Sequence, residues 1–191
     1  LAQAHQTFEF YRDGQKHGLK DALTLPADQL HSFKLTGSSQ AAPEWYVPYH
    51  GQKLQGYALL EQIERWENQG IMESSHANAL RECVARPEWF DLSDRTMVLF
   101  GAASEAGPLT WLAKWKANIV AIDLPNTRVW GKIVDTISQG NATLYAPCTE
   151  ALAEDTPDDV LKEKLGANLL TQIPEIAKWL LQFEPDLDLA A

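Results

Sequence analysis

Cysteine is nearly missing from this sequence: Cys83 and Cys148 are the two among 191 residues. Two cysteines are too few for a disulfide framework, and neither stands at zinc-ligand spacing from another, so a stapled secreted scaffold and a structural zinc site are both excluded. This usage fits a reducing compartment, the cytoplasm or the interior of an organelle. Long apolar runs are missing too. None approaches the roughly 20 residues needed to span a bilayer, and no secretory signal is visible. Positive charge is scarce: 16 Lys and Arg stand against 26 Asp and Glu, a formal net charge of −10. From Ala146 onward ten acids face three lysines. Such a surface repels phosphate backbones and anionic membranes, which disfavours nucleic acid as a partner, and its ordinary role is solubility. His5, His17, His31, His50 and His76 are scattered through the first half with no ligand pair at helical spacing, so no metal is expected.

What is present suits a globular chain: 45% of residues are hydrophobic and seven are Trp, enough to build a core without staples. Three regions are expected. Residues 1–56 read as an extended, irregular arm, with strand-like alternation over Thr7–Tyr11, a turn at Asp13-Gly14, and aromatic residues in Pro43-Glu44-Trp45-Tyr46-Val47-Pro48. An arm of this kind packs over a core or over a protein partner. Residues 57–94 read as a helical hairpin. Leu59, Leu60, Ile63 and Trp66 keep helical spacing before Gly70, and a second helix runs from about Ser74 to Val84 and closes at Pro87.

Residues 95–191 alternate strand and helix, which makes the fold class α/β. Met97–Phe100 and Asn118–Ile122 are short apolar runs of the kind found in buried parallel strands. Pro108–Lys116 reads as the helix between them. A helix over Thr127–Ser138 ends at Gly140, Ala142–Tyr145 is a third strand, and Pro174–Phe183 is the last helix. A sheet of three strands leaves an edge that the arm or a partner chain must cover.

The turn after the first strand, Gly101-Ala102-Ala103-Ser104-Glu105-Ala106-Gly107, carries the functional expectation. A strand that enters a glycine turn and then a helix presents unpaired N–H groups to an anion. Gly101, Ser104, Ala106 and Gly107 are the candidate phosphate contacts. Asp123 ends the second strand 22 residues after Gly101, close to the ~20 at which a carboxylate meets the ribose of an adenosine. An acid there disfavours a 2′-phosphate, so NAD is the expected cofactor over NADP. Each residue also has a structural reading: the glycines suit any tight turn, Ser104 the cap of the following helix, and Asp123 the start of the helix that begins near Thr127.

At these residues the chain resembles the short-chain dehydrogenase/reductase family, whose glycine turn and ribose-binding acid Gly101–Gly107 and Asn118–Leu124 look like. The resemblance implies a Rossmann-like parallel sheet and NAD-dependent hydride transfer. Through its Gly101-Ala102 and Gly107-Pro108 pairs, Ala121-Ile122-Asp123-Leu124-Pro125 and Gly166–Leu180, the chain also resembles a Rossmann-like family of bacterial and algal proteins, which implies no particular activity. Two departures from the dehydrogenase pattern stand out. Glu105 replaces the middle glycine and brings a negative charge to the phosphate seat. The catalytic Tyr-x-x-x-Lys does not follow Asp123; Tyr49-His50-Gly51-Gln52-Lys53 has the spacing but precedes the turn.

The expected function is therefore a Rossmann-like NAD(P)-binding-type module, non-catalytic, acting as a structural or regulatory subunit of a larger assembly. An NAD-dependent oxidoreductase of short-chain type is the alternative, and it requires a longer chain, because 68 residues after Asp123 cannot hold the remaining strands and the Tyr/Lys pair. An S-adenosylmethionine-dependent methyltransferase is the third reading. Cys148, at the end of the third strand, has no base in reach that sequence can assign.

Overall fold

In the computed structural model, which describes residues 2–153 and 155–183, the chain forms a mixed α/β fold with a mostly parallel central sheet. The first helix, α1 (Ala2–Thr7), leads into the hairpin β1 (Phe10–Arg12) and β2 (Gln15–His17), then α2 (Leu19–Thr24) and β3 (His31–Thr36). A second hairpin, β4 (Val47–Tyr49) and β5 (Gln52–Leu54), precedes helices α3 (Gly56–Asn68) and α4 (Ser74–Ala85). Both hairpins turn on a pair of residues with positive φ, Asp13-Gly14 and His50-Gly51, the geometry that matches strand twist in a two-residue loop. The remaining elements are β6 (Thr96–Phe100), α5 (Leu109–Leu112), β7 (Asn118–Ile122), α6 (Thr127–Ser138), β8 (Thr143–Cys148), α7 (Asp158–Lys164) and α8 (Ile173–Leu180).

The sheet runs in the order β3-β8-β7-β6. β6, β7 and β8 are parallel, and β3 pairs antiparallel with β8 from His31↔Cys148 to Thr36↔Thr143. Part of the segment read as an irregular arm is thus an edge strand of the sheet. Its alternation of Phe33 and Leu35 with polar residues fits a strand with one covered face. β7, central and covered on both sides, is apolar almost throughout. Ile119 and Ala121 pack with α5, α6 and α7 on one face, and Val120 and Ile122 pack with Ile176 and Trp179 of α8 on the other.

α6 starts where the Asn126 side chain accepts from the Arg128 and Val129 N–H groups, at 3.0 and 3.2 Å. Asn126, not Asp123, therefore caps this helix. Trp130, Ile133, Val134 and Ile137 give α6 its buried stripe. The helix expected over 108–116 is the four residues of α5 followed by tight turns. Lys116 ends that stretch in the left-handed region at φ 57°, its N–H held by the Asn141 side chain at 2.8 Å.

At one joint the backbones of three elements meet without side chains between them. Ser39 N–H donates to Gly140 O at 2.8 Å, Gly37 N–H to Ala142 O at 2.9 Å and Asn141 N–H to Ala113 O at 2.7 Å. These bonds dock β3 and the α5 turn onto the end of α6. On the opposite side of the sheet, the Arg12 guanidinium donates to Thr171 O at 2.8 Å and to the buried Glu175 carboxylate at 2.9 Å, tying the first hairpin to α8.

α3 and α4 bury Leu59, Ile63 and Ala77 between them under Trp45, Val47 and Leu54. They reach the sheet layer through a seam of rings, Trp45–Phe90–Trp115–Trp111–Tyr46, with successive centroids 4.9 to 5.5 Å apart.

Candidate functional site

β6 delivers the chain to Gly101, whose φ of 69° turns it through a region that side chains resist. Gly101 N–H donates across the strand ends to Ile122 O at 2.8 Å. Two tight turns follow, Ser104 N–H to Gly101 O at 2.9 Å and Gly107 N–H to Ser104 O at 3.1 Å. The Asp123 carboxylate closes the arrangement. One oxygen accepts from Ala103 N–H at 2.8 Å and the other from Leu124 N–H at 2.8 Å. From α6, Lys132 Nζ reaches back to Ala103 O at 2.9 Å.

The amides of residues 101, 103, 104 and 107 are thus satisfied inside the protein, and a carboxylate holds one of them. Gly101 and Gly107 sit at the turn as the sequence placed them, but the N–H groups of Gly101, Ser104 and Gly107 point to carbonyls of this chain. Ser104, Glu105 and Ala106 are exposed. Pro108 precedes α5 and no side chain caps that helix, so the capping role offered for Ser104 is not the one it fills. With a single turn of helix behind it, the loop has little macrodipole to offer an anion.

A segment that sequence reasoning did not place at the site lies across the sheet's carboxyl edge, where nucleotides sit in open α/β sheets. Leaving α7, Leu165 forms an antiparallel bridge with Cys148, Gly166 N–H donates to Pro147 O at 2.8 Å, and Ala167 N–H donates to Asp123 O at 3.0 Å. This strap bonds to the ends of β8 and β7 in turn. Gly166 makes the crossing at φ 117°, against Trp130, whose indole N–H donates to Leu124 O at 3.0 Å. The one signal in the sequence was a glycine one residue beyond the C-cap of a helix.

The Tyr and Lys at dehydrogenase spacing are engaged elsewhere. Tyr49, at the end of β4, packs edge-on against Trp66 with centroids 5.0 Å apart, and Lys53 Nζ lies 4.3 Å from the Tyr46 ring. Cys148 is fully buried, and its Sγ lies 3.5 Å from His31 O. Burial, with Glu150 adding to it, pushes the thiol up to about 11. Protonated is therefore the favoured state in the fold. Its contribution to stability is complete below the ordinary thiol value of about 8.5 and is lost as pH climbs towards about 11. At pH 8 a disulfide-exchange reagent should label Cys83, which is partly exposed, and spare Cys148 until the protein is denatured. A native count of one thiol and a denatured count of two is the expected result; rapid labelling of both in the native state would contradict it.

Among the described residues no three His, Cys, Asp or Glu side chains converge as metal ligands, and no helix is long and apolar enough to cross a membrane. Compared with known protein families, with curated proteins and with solved structures, the chain matches none.

Proposed function

We propose that this chain is a Rossmann-like module without catalysis, a structural or regulatory subunit whose glycine turn is held by the protein in place of a dinucleotide. The observation that carries the reading is the Asp123 carboxylate, which spends one oxygen on Ala103 N–H and the other on Leu124 N–H. The strap over the sheet edge and the structural engagement of Tyr49 and Lys53 support it. So does β6, which pairs on one side only among the described residues and ends in Phe100, 55% exposed. With β3 already bonded to β8, that open edge, rather than the arm, is the surface left for a protein partner.

A clamp and a ligand contact differ in what their loss does. Asp123→Ala should destabilise the fold by about 2 kcal/mol, the scale of hydrogen bonds to a charged group, read as a lower urea midpoint with an unchanged m-value. An unchanged midpoint would overturn the clamp. The second reading, an NAD-binding subunit, draws on the Glu105 and Ala106 amides, which bond no acceptor among the described residues. The short-chain oxidoreductase and the methyltransferase have no such observation in their favour.

A further inference from the structure

Beside the glycine turn, the outer surfaces of α5 and α6 form an open groove of about 690 Å³. Lys114, Arg128 and Lys132 line it with Thr110, and Asp135 is the one acid among them. Arg128, Gly131, Lys132 and Asp135 fall at helical spacing on one face of α6, opposite the buried stripe. Asp135 is neutralised by Lys162 at 3.1 Å. Arg128 and Lys114 make no ion pair with any described residue; Lys114 lies 5.9 Å from the Trp111 ring, and Lys132 Nζ bonds the Ala103 carbonyl at 2.9 Å while keeping its charge. On a chain of net charge −10, a concave surface with three cations and one already paired acid is a local reversal of sign.

Gly131 lines the groove between Arg128 and Lys132. Glycine in a helix interior is destabilising relative to alanine. A Cβ added at Gly131 would meet nothing closer than Lys162 Cδ at 3.7 Å, an ordinary contact. The contrast with Gly140 in the same groove is sharp, since a Cβ there would fall 2.0 Å from Ala113 O. Gly140 is required by the protein's own backbone, whereas a methyl group at Gly131 would rest against the Lys162 stem and the groove.

We propose that this groove binds a small soluble polyphosphate, as a free chain or as the phosphate tail of a nucleotide. A guanidinium fork and two ammonium groups beside a threonine hydroxyl match the oxygens of linked phosphates. The limited size of the groove and the negative charge elsewhere favour a small anion over a nucleic acid or a membrane. The groove borders the glycine turn through Lys132, but Lys114, Arg128 and Thr110 make no bond to the turn, and the site stands whether or not the turn takes a nucleotide.

The test is calorimetric titration of the full chain with tripolyphosphate, at two salt concentrations, on the wild type, Gly131→Ala, and the double variant Lys114→Gln/Arg128→Gln. Saturable binding is expected, weaker at high salt as screening requires. Gly131→Ala should bind about tenfold more weakly, the scale of a lost charge-assisted contact, with a thermal midpoint equal to or above that of the wild type. The double variant, altered at two exposed positions, should lose binding. No heat from the wild type at millimolar tripolyphosphate would overturn the proposal. So would wild-type affinity in either variant, which would place any binding at another surface, the glycine turn included.

Discussion

Replacing Gly140 with alanine should destabilise the fold by roughly 3–5 kcal/mol, one of the largest effects of any single methyl group in this chain. The added Cβ would stand 2.0 Å from Ala113 O and 2.8 Å from Ala113 C, both backbone atoms that cannot swing aside. Relief means parting the end of α6 from the turn after α5. That breaks Asn141 N–H to Ala113 O, and it disturbs Gly140 O, which Ser39 N–H bonds at 2.8 Å. The strain therefore spreads to β3, whose Gly37 would itself place a Cβ 2.3 Å from Gly140 O. Urea unfolding followed by far-ultraviolet circular dichroism reads the loss directly. A decrease below about 1 kcal/mol would show that the three backbones do not meet as described.

Gly166→Ala should cost a similar roughly 3–5 kcal/mol, by strain and overpacking together. At φ 117° a side chain is strained whatever the space, and here the space is taken: Trp130 Nε1 would be 2.5 Å away and Pro125 Cα 2.7 Å. The consequence reaches the sheet edge. Relaxing Gly166 loosens its bond to Pro147 O and that of Ala167 to Asp123 O, so the strap would lift from β8 and β7. Faster hydrogen exchange at the Gly166 position and at Ala167, beyond the global loss of stability, is the signature to look for. Exchange that changes only in step with global stability would mean that the strap is not a separate latch.

Much of the α/β alternation could be read from the chain because its signals are local. β7 is buried on both faces, so its run from Ile119 to Ile122 is apolar without alternation, and α6 carries a stripe at helical spacing. β3 was not legible. An edge strand with one covered face needs few large apolar residues, and Phe33 and Leu35 supply the pattern. The length of α5 was hidden for a different reason. Its continuation is stopped at Lys116 by a bond to Asn141, a residue 25 positions away that no helical pattern reports.

The site divides along the same line. Residue type and spacing identified a turn at Gly101 and an acid at Asp123. What the acid holds is a matter of three-dimensional approach, because a carboxylate at the end of β7 is equally suited to a ribose and to the N–H of Ala103. The strap was invisible because its bonds join residue 166 to 147 and residue 167 to 123. Glu105 is intelligible on this account: a turn that binds no phosphate tolerates an exposed carboxylate.

The central claim, a glycine turn closed by Asp123 rather than by a dinucleotide, is tested most directly by calorimetric titration of the wild-type chain with NADH. No saturable heat is expected at micromolar NADH. Micromolar binding that Asp123→Ala abolishes, in a variant that remains folded, would contradict it and make the turn a working cofactor site.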